Sequence, residues 1–227
     1  MPVLPEFHKL SAAANATPVQ LLIATTNGGK LAEFQNALGE LPLQILSLAE
    51  LVAPPKVTED GASFEENALK KARTMADYSG KMTLADDSGL EVFALGGAPG
   101  IRSARYAGEE GNDHKNNEQL LRAMGGLPLS ERGARFVCVI ALCEPAVWGG
   151  RQWLYREECQ GTIGFTPVGD EGFGYDPLFF YPPLGKTFAQ LDRETKERVS
   201  HRGRAVRKLK EELPFLFPLR VKHGSRF

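Results

Sequence analysis

The chain has 227 residues, 42% of them hydrophobic and 24% charged, with a formal net charge of −1. That length supports one well-packed domain and is short for two independent ones. The near-neutral balance excludes the global basic field that drives non-specific nucleic-acid binding, and no apolar run is long enough to span a bilayer.

Residues 1–19 lack the basic start and apolar centre of a secretory signal and read as a flexible leader. The run Gln20-Leu21-Leu22-Ile23-Ala24 predicts a buried strand that ends in Thr25-Thr26-Asn27-Gly28-Gly29-Lys30. Leu31, Phe34, Ala37 and Leu38 follow at helical spacing. A second strand is expected over 43–46. Ser63 with Glu66 three residues on has capping-box spacing, so a helix should run from there to Gly80. Residues 82–85 read as a strand that delivers Asp86, Asp87 and Ser88 at its C-terminal end. A polar helix is expected over 116–124, strands over 134–142 and 153–158, and a glycine-rich loop over 161–174. A short aromatic strand over 176–181 precedes two helices, 189–197 and 201–213, joined near Ser200. Residues 214–227 read as a loose basic tail. The alternation of strands and helices favours a single α/β domain over 20–213. Cys138, Cys143 and Cys159 are odd in number and form no C-x-x-C. They argue against a disulfide framework or a structural zinc and suit a reducing, cytoplasmic setting.

Four segments could carry chemistry. A strand, a glycine turn and a helix N-terminus at Thr25 to Lys30 present backbone N–H groups to a phosphate, with Lys30 as a point charge. The same glycines also suit an ordinary turn. Glu59, Asp86 and Asp87 are carboxylates of the kind Mg²⁺ takes together with waters and phosphate oxygens. A continuous strand would point Asp86 and Asp87 to opposite faces, and Asp86-Asp87-Ser88-Gly89 is also a plain turn composition. Phe173, Gly174, Tyr175 and Asp176 combine an aromatic platform with a close-approach backbone, or simply fill the core. Lys196, His201 and Arg202 suit phosphate oxygens or a purine carbonyl, or form a solvated basic face.

Taken in order, these stretches resemble the inosine/xanthosine triphosphate pyrophosphatase (HAM1-like) family. The matching segments are Ala24-Thr25-Thr26-Asn27-Gly28-Gly29-Lys30, the run from Glu59 to Ala68, and Ala85-Asp86-Asp87-Ser88-Gly89-Leu90. Gly96-Gly97-Ala98-Pro99-Gly100-Ile101, Ser103-Ala104-Arg105-Tyr106, Gly172 to Pro177 and Ser200-His201-Arg202-Gly203 follow. The resemblance implies an elongated α/β domain with a long mixed, twisted sheet, flanking helices and two lobes around a nucleotide cleft. It implies a homodimer and hydrolysis of ITP, dITP or XTP to the monophosphate and pyrophosphate with Mg²⁺. It places Asp87 as the catalytic acid–base, with Glu59, Asp86 and Asp87 toward the metal. It places Thr25, Thr26, Asn27, Gly28, Gly29, Lys30, Ser88, Phe173, Gly174, Tyr175, Asp176, Lys196, His201 and Arg202 around the nucleotide. Thr26 stands where the family often has glycine or serine, which is tolerated if Gly28 and Gly29 supply the turn's φ freedom. The near-neutral charge and the lack of a spanning apolar run lead us to expect no nucleic-acid and no membrane partner.

Overall fold

The computed structural model describes residues 19–108 and 111–216. Most of the expected leader and tail lies outside these residues. Seven strands form one mixed sheet in the order β2-β1-β3-β4-β5-β6-β7. Strand β1 (Val19–Ile23) pairs in parallel with β2 (Leu43–Ser47) and with the start of β3 (Met82–Val92). Strands β4 (Gly133–Cys143), β5 (Gln152–Ile163), β6 (Phe179–Tyr181) and β7 (Lys186–Thr187) then add antiparallel.

Helices cover both faces. On one face, α1 (Gly28–Leu38) and α5 (His201–Leu216) pack against Leu21, Ile23, Met82, Leu84, Ile140 and Leu142. Phe34 is the fully buried anchor of α1, worth about 2–3 kcal/mol of burial. On the other face, α2 (Phe64–Ser79) lays Phe64, Ala68, Ala72 and Met75 on Leu22, Ala85, Val139 and Ala141. Its start is capped as the sequence predicts, Ser63 Oγ accepting the Glu66 N–H, and Gly80 ends it in the left-handed conformation. A third core lies beyond the first on the α1/α5 face. It joins Leu90 and Val92 to Phe136, Tyr175, Phe179, Phe188 and helix α3 (Asp113–Ala123). A short helix α4 (Arg193–Val199) precedes α5.

Strand β3 carries the consequence for function. It runs 11 residues, so Asp86, Asp87 and Ser88 sit in its middle and not at its C-terminal end as expected. The reason is pairing: β4 matches β3 without a break from Thr83 to Val92. On the α1/α5 face β3 therefore presents Met82, Leu84, Asp86, Ser88, Leu90 and Val92 in turn. Apolar pairs at each end feed two separate cores, and the polar pair between them marks the gap.

Other boundaries also move. The strand expected over 153–158 extends to Ile163, while the aromatic strand over 176–181 shrinks to Phe179–Tyr181. The helix expected from 189 starts at Arg193, because Asp192 caps it by accepting the Thr195 N–H. The last helix continues through Pro214 to Leu216, since Leu213 and Leu216 still reach the core. Among the described residues no helix is long and apolar enough to cross a membrane.

Candidate active site

The site is assembled around one open strand edge. β1 pairs only with Met82, Thr83 and Leu84 of β3, so the edge from Ala85 onward has no strand beside it there. The chain leaving β1 turns into α1 at this place. Asn27 caps the helix, its side chain accepting the Lys30 N–H at 3.0 Å, and Thr25 Oγ accepts the Asn27 N–H at 3.2 Å. First-turn N–H groups of Gly28 and Gly29 thus lie at a helix N-terminus, where backbone donors favour anions. Neither glycine has a positive φ, so the turn does not rely on their conformational freedom. Gly29 is required for space instead: a Cβ there would lie 2.6 Å from the Phe173 ring.

On the α1/α5 face Asp86 is fully desolvated and triply compensated. Lys30 Nζ lies 3.0 Å away, Arg202 Nη2 3.3 Å, and Ser88 Oγ donates to it at 2.7 Å. Burial alone would raise its pKa, but Lys30, Arg202 and Lys71 together hold it well below the usual carboxylate range. Arg202 also donates to Ser88 Oγ at 2.7 Å and pairs with Glu33. Glu33 in turn bonds Lys196 at 2.9 Å, and Lys196 bonds Asp176 at 2.6 Å. Asp176 accepts the Phe173 N–H at 2.9 Å, and the Phe173 ring lies 4.6 Å from Lys196 Nζ. One chain of charges therefore links Lys30 to the Phe173 loop.

His201 opens α5 with its ring stacked on Phe136, centroids 4.7 Å apart. Burial, then the charges of Arg202 and Lys196, push its pKa well below the usual imidazole value. His201 is neutral at pH 7 for that reason. Its Nδ1 and Arg202 Nε are buried with no hydrogen-bond partner among the described residues. Such unmet polar atoms are costly unless a ligand meets them.

The α2 face holds a second cluster. Asp87 Oδ2 accepts from Asn67 Nδ2 at 3.1 Å, and Lys71 Nζ lies 3.5 Å from Asp87 Oδ1. Lys71 also meets Glu59 at 2.9 Å and donates to the Asp86 carbonyl at 2.6 Å. Arg105 donates to the Glu59 carbonyl at 3.1 Å. Burial raises the Asp87 pKa to about 6, Glu59 adds to the rise, and Lys71 and Lys30 oppose it. A carboxylate so poised exchanges protons near neutral pH.

Among the described residues no three His, Cys, Asp or Glu side chains converge as a metal cage. Mg²⁺ does not need one, since it is commonly held by one or two carboxylates plus waters and substrate phosphates. Glu59 and Asp87 could serve as such a pair, since both carboxylates already share one cation, the Lys71 ammonium. The two clusters lie on opposite faces of β3 but meet at its open edge, where Lys30 acts on both Asp86 and Asp87.

The Ham1 family model matches residues 21–212. The chain belongs to the Ham1 family. Among curated relatives, this Ham1 chain is 52% identical over 192 residues to the dITP/XTP pyrophosphatase of Syntrophobacter fumaroxidans, covering 85% of this chain and 81% of that protein. It is 50% identical over 194 residues to the dITP/XTP pyrophosphatase of Geobacter sulfurreducens, covering 86% and 96%. A HAM1 protein from Coxiella burnetii has a solved structure similar to it, with a TM-score of 0.78 and 39% identity over 86% of this chain and 98% of that one. The Ham1 protein of Staphylococcus aureus gives 0.76 and 41%, over 87% and 99%.

In this Ham1 chain Lys30, Ser88, Asp176, Lys196, Arg202 and Asp86 fall in one network, with Phe173 over it and His201 beside it. Asp87 and Glu59 form the other cluster. Asp86 does not share a face with Glu59 and Asp87. Thr26 is exposed at the turn, and Gly174 is fixed by helix α3. Tyr175 is turned away: its ring is buried in the third core and its hydroxyl donates to the Ser103 carbonyl at 2.8 Å. Three site residues have no role in the sequence reading: Glu33, Lys71, and Asn67, which lies inside the matching run from Glu59 to Ala68. A signal existed for two of them. Asn67 and Lys71 fall three and seven residues after Phe64, on the stripe that α2 otherwise buries, where a polar side chain needs a partner.

Proposed function

We propose that this protein hydrolyses non-standard purine nucleoside triphosphates, dITP, ITP and XTP, to the nucleoside monophosphate and pyrophosphate. One observation carries the reading. A poised carboxylate, Asp87, shares the open edge of β3 with Lys30 and Lys71, and the same edge leads through Arg202 to Lys196 and Phe173.

The triphosphate would lie along that edge, with the first turn of α1 and Lys30 on its phosphates. Asp87 would take the proton of the water attacking the α-phosphorus, with Asn67 and Lys71 holding its carboxylate in place. Lys71 would sit against the developing charge, released from its pairing with Glu59. Glu59 and Asp87 would hold Mg²⁺, which supplies charge neutralisation on phosphate oxygens. Asp86 serves as a fixed counter-charge that aims Lys30 and Arg202. The base would stack on Phe173. Arg202 Nε, a donor without a partner, suits the O6 acceptor of a 6-oxopurine, and His201 joins it in the tautomer that carries its proton on Nδ1. Adenine brings an amine to the same place and leaves them unmet, which discriminates by up to about 10⁴–10⁵.

Magnesium as the ion, the cytoplasm as the location and a homodimer as the assembly belong to the same proposal and rest on the resemblance read in the sequence. The test is product analysis with magnesium present, using dITP, XTP and ATP. Monophosphate and pyrophosphate from dITP and XTP, with slow ATP turnover, are expected. A diphosphate product overturns the cleavage site, and equal ATP turnover overturns the selectivity. Asp87→Asn should lower kcat by about 10²–10⁴ while leaving the fold intact, and unchanged kcat removes Asp87 from the chemistry.

A further inference from the structure

We propose that Asn67 is a positioning residue that locks Asp87 and the Glu59 loop into one unit. The inference deepens the hydrolase reading above and rests on it. Asn67 lies in the second turn of α2 with its side chain fully buried. Its Oδ1 accepts the Gly61 N–H at 2.8 Å and its Nδ2 donates to Asp87 Oδ2 at 3.1 Å. The amide can take only this orientation. A backbone N–H can only donate and a carboxylate can only accept, so each end of the amide has one possible partner.

Two consequences follow for the reacting groups. With Oδ2 of Asp87 occupied by Asn67, Oδ1 is the oxygen that faces Lys71, and the carboxylate cannot rotate without losing a buried hydrogen bond. Gly61 is two residues from Glu59, so the same amide sets where that carboxylate stands. The fit is close: a Cβ on Gly61 would lie 2.7 Å from Asn67 Oδ1 and 2.8 Å from Glu66 Cβ. Arg105 fixes the Glu59 carbonyl from the other side. Asn67 and Lys71 are four residues apart on one helix face, so α2 delivers both a neutral and a cationic partner to the same carboxylate. Asn67 itself touches no site expected to contact the nucleotide.

The effect belongs in kcat and not in nucleotide binding. A misplacement of about 1 Å at reacting atoms can cost on the order of 100-fold in rate. Asn67→Ala should therefore lower kcat for dITP by about 30- to 100-fold per folded molecule, with KM within about threefold. Because Asn67 works through Asp87, the double variant Asn67→Ala/Asp87→Asn should be no slower than Asp87→Asn alone, as groups acting as a unit are non-additive. Folded fraction is read by circular dichroism on the full chain. Should Asn67→Ala fail to fold, Asn67→Ser, which keeps a small polar side chain, takes its place in both comparisons. A kcat within threefold of wild type, or a rise in KM alone, overturns the proposal. So does a double variant whose losses multiply, since a merely structural residue would slow any background equally. If Asp87→Asn retains full activity, Asp87 has no role to position and the proposal falls while the hydrolase reading stands; if wild type releases no monophosphate and pyrophosphate from dITP, the hydrolase reading fails instead, so the two failures are separable.

Discussion

At His201 the chemistry of a single ring sets a pH dependence of stability. In the unfolded chain the imidazole titrates near about 6.5. In the folded protein burial, Arg202, Lys196 and Lys30 all disfavour the proton, against Asp86 alone, so the ring stays neutral well below that pH. As pH falls through the unfolded value, the unfolded chain gains a proton that the folded one refuses, and stability drops. From pH 7 to 5 this group costs at most about 2 kcal/mol, the limit set by the unfolded imidazole. Asp87, with its raised pKa, works in the opposite direction below pH 6, so the measurement must be a difference. Urea unfolding of wild type and His201→Gln at both pH values provides it. The variant should lose less than wild type on acidification, by at most about 2 kcal/mol, and equal losses would mean that another group carries the slope. The type of residue at 201 was legible from the sequence, but its neutrality was not, because neutrality depends on which charges the fold packs around it. The division of labour between Asp86 and Asp87 is similar. Alternation says that they face apart, yet only the location of Lys30 and Arg202 says which one is neutralised.

Element by element, length decides more than type. A strand was expected before Asp86, and it exists, but β4 continues the ladder past it and turns two end-of-strand aspartates into mid-strand ones. Nothing local in Asp86-Asp87-Ser88-Gly89 announces that, since the composition is that of a turn and the partner strand lies about fifty residues away. Helix α3 looked merely polar. In the structure it grips the loop that carries Phe173. Asp113 accepts the Gly174 N–H at 2.7 Å, and Asn117, one turn on, donates to the Gly174 carbonyl at 2.9 Å. Both backbone groups of one loop residue are thus held by side chains four apart on a single helix. Under the proposed function this clamp would act on base stacking, and it lies away from the Asp87 cluster. Asn117→Ala should raise KM for dITP about 3- to 10-fold, the worth of one hydrogen bond, and leave kcat within twofold. Exposed Glu118 serves as control, with Glu118→Ala unchanged in both. A fall in kcat with steady KM in Asn117→Ala would show that the loop serves the chemistry and not the base.

The whole molecule is held together by its long strands. The first core, under α1 and α5, and the third, under α3, share no side chains, and the polar residues Asp86 and Ser88 of β3 lie between those that feed them. Two clusters separated by a polar gap could melt independently. Here β3 and β4, each 11 residues and about 35 Å long at the usual rise, pass through both and pair along most of their length. Losing one end would strip the ladder and expose the apolar residues of the other, so the domain should unfold in one step. The two tryptophans allow a direct test, because Trp153 packs against the first core and Trp148 lies in the turn just before β5. Phe188 is fully buried in the third core, stacked 5.8 Å from Phe136. Phe188→Ala should cost about 3–5 kcal/mol and shift the urea midpoint of tryptophan fluorescence as far as that of far-ultraviolet circular dichroism. An unmoved tryptophan midpoint, or two separate transitions, would mean that the strands do not couple the ends. The polar gap on β3 would then be a joint between two units that move apart freely, and the alignment of Asp87 with the Phe173 loop would have to be re-established at each turnover.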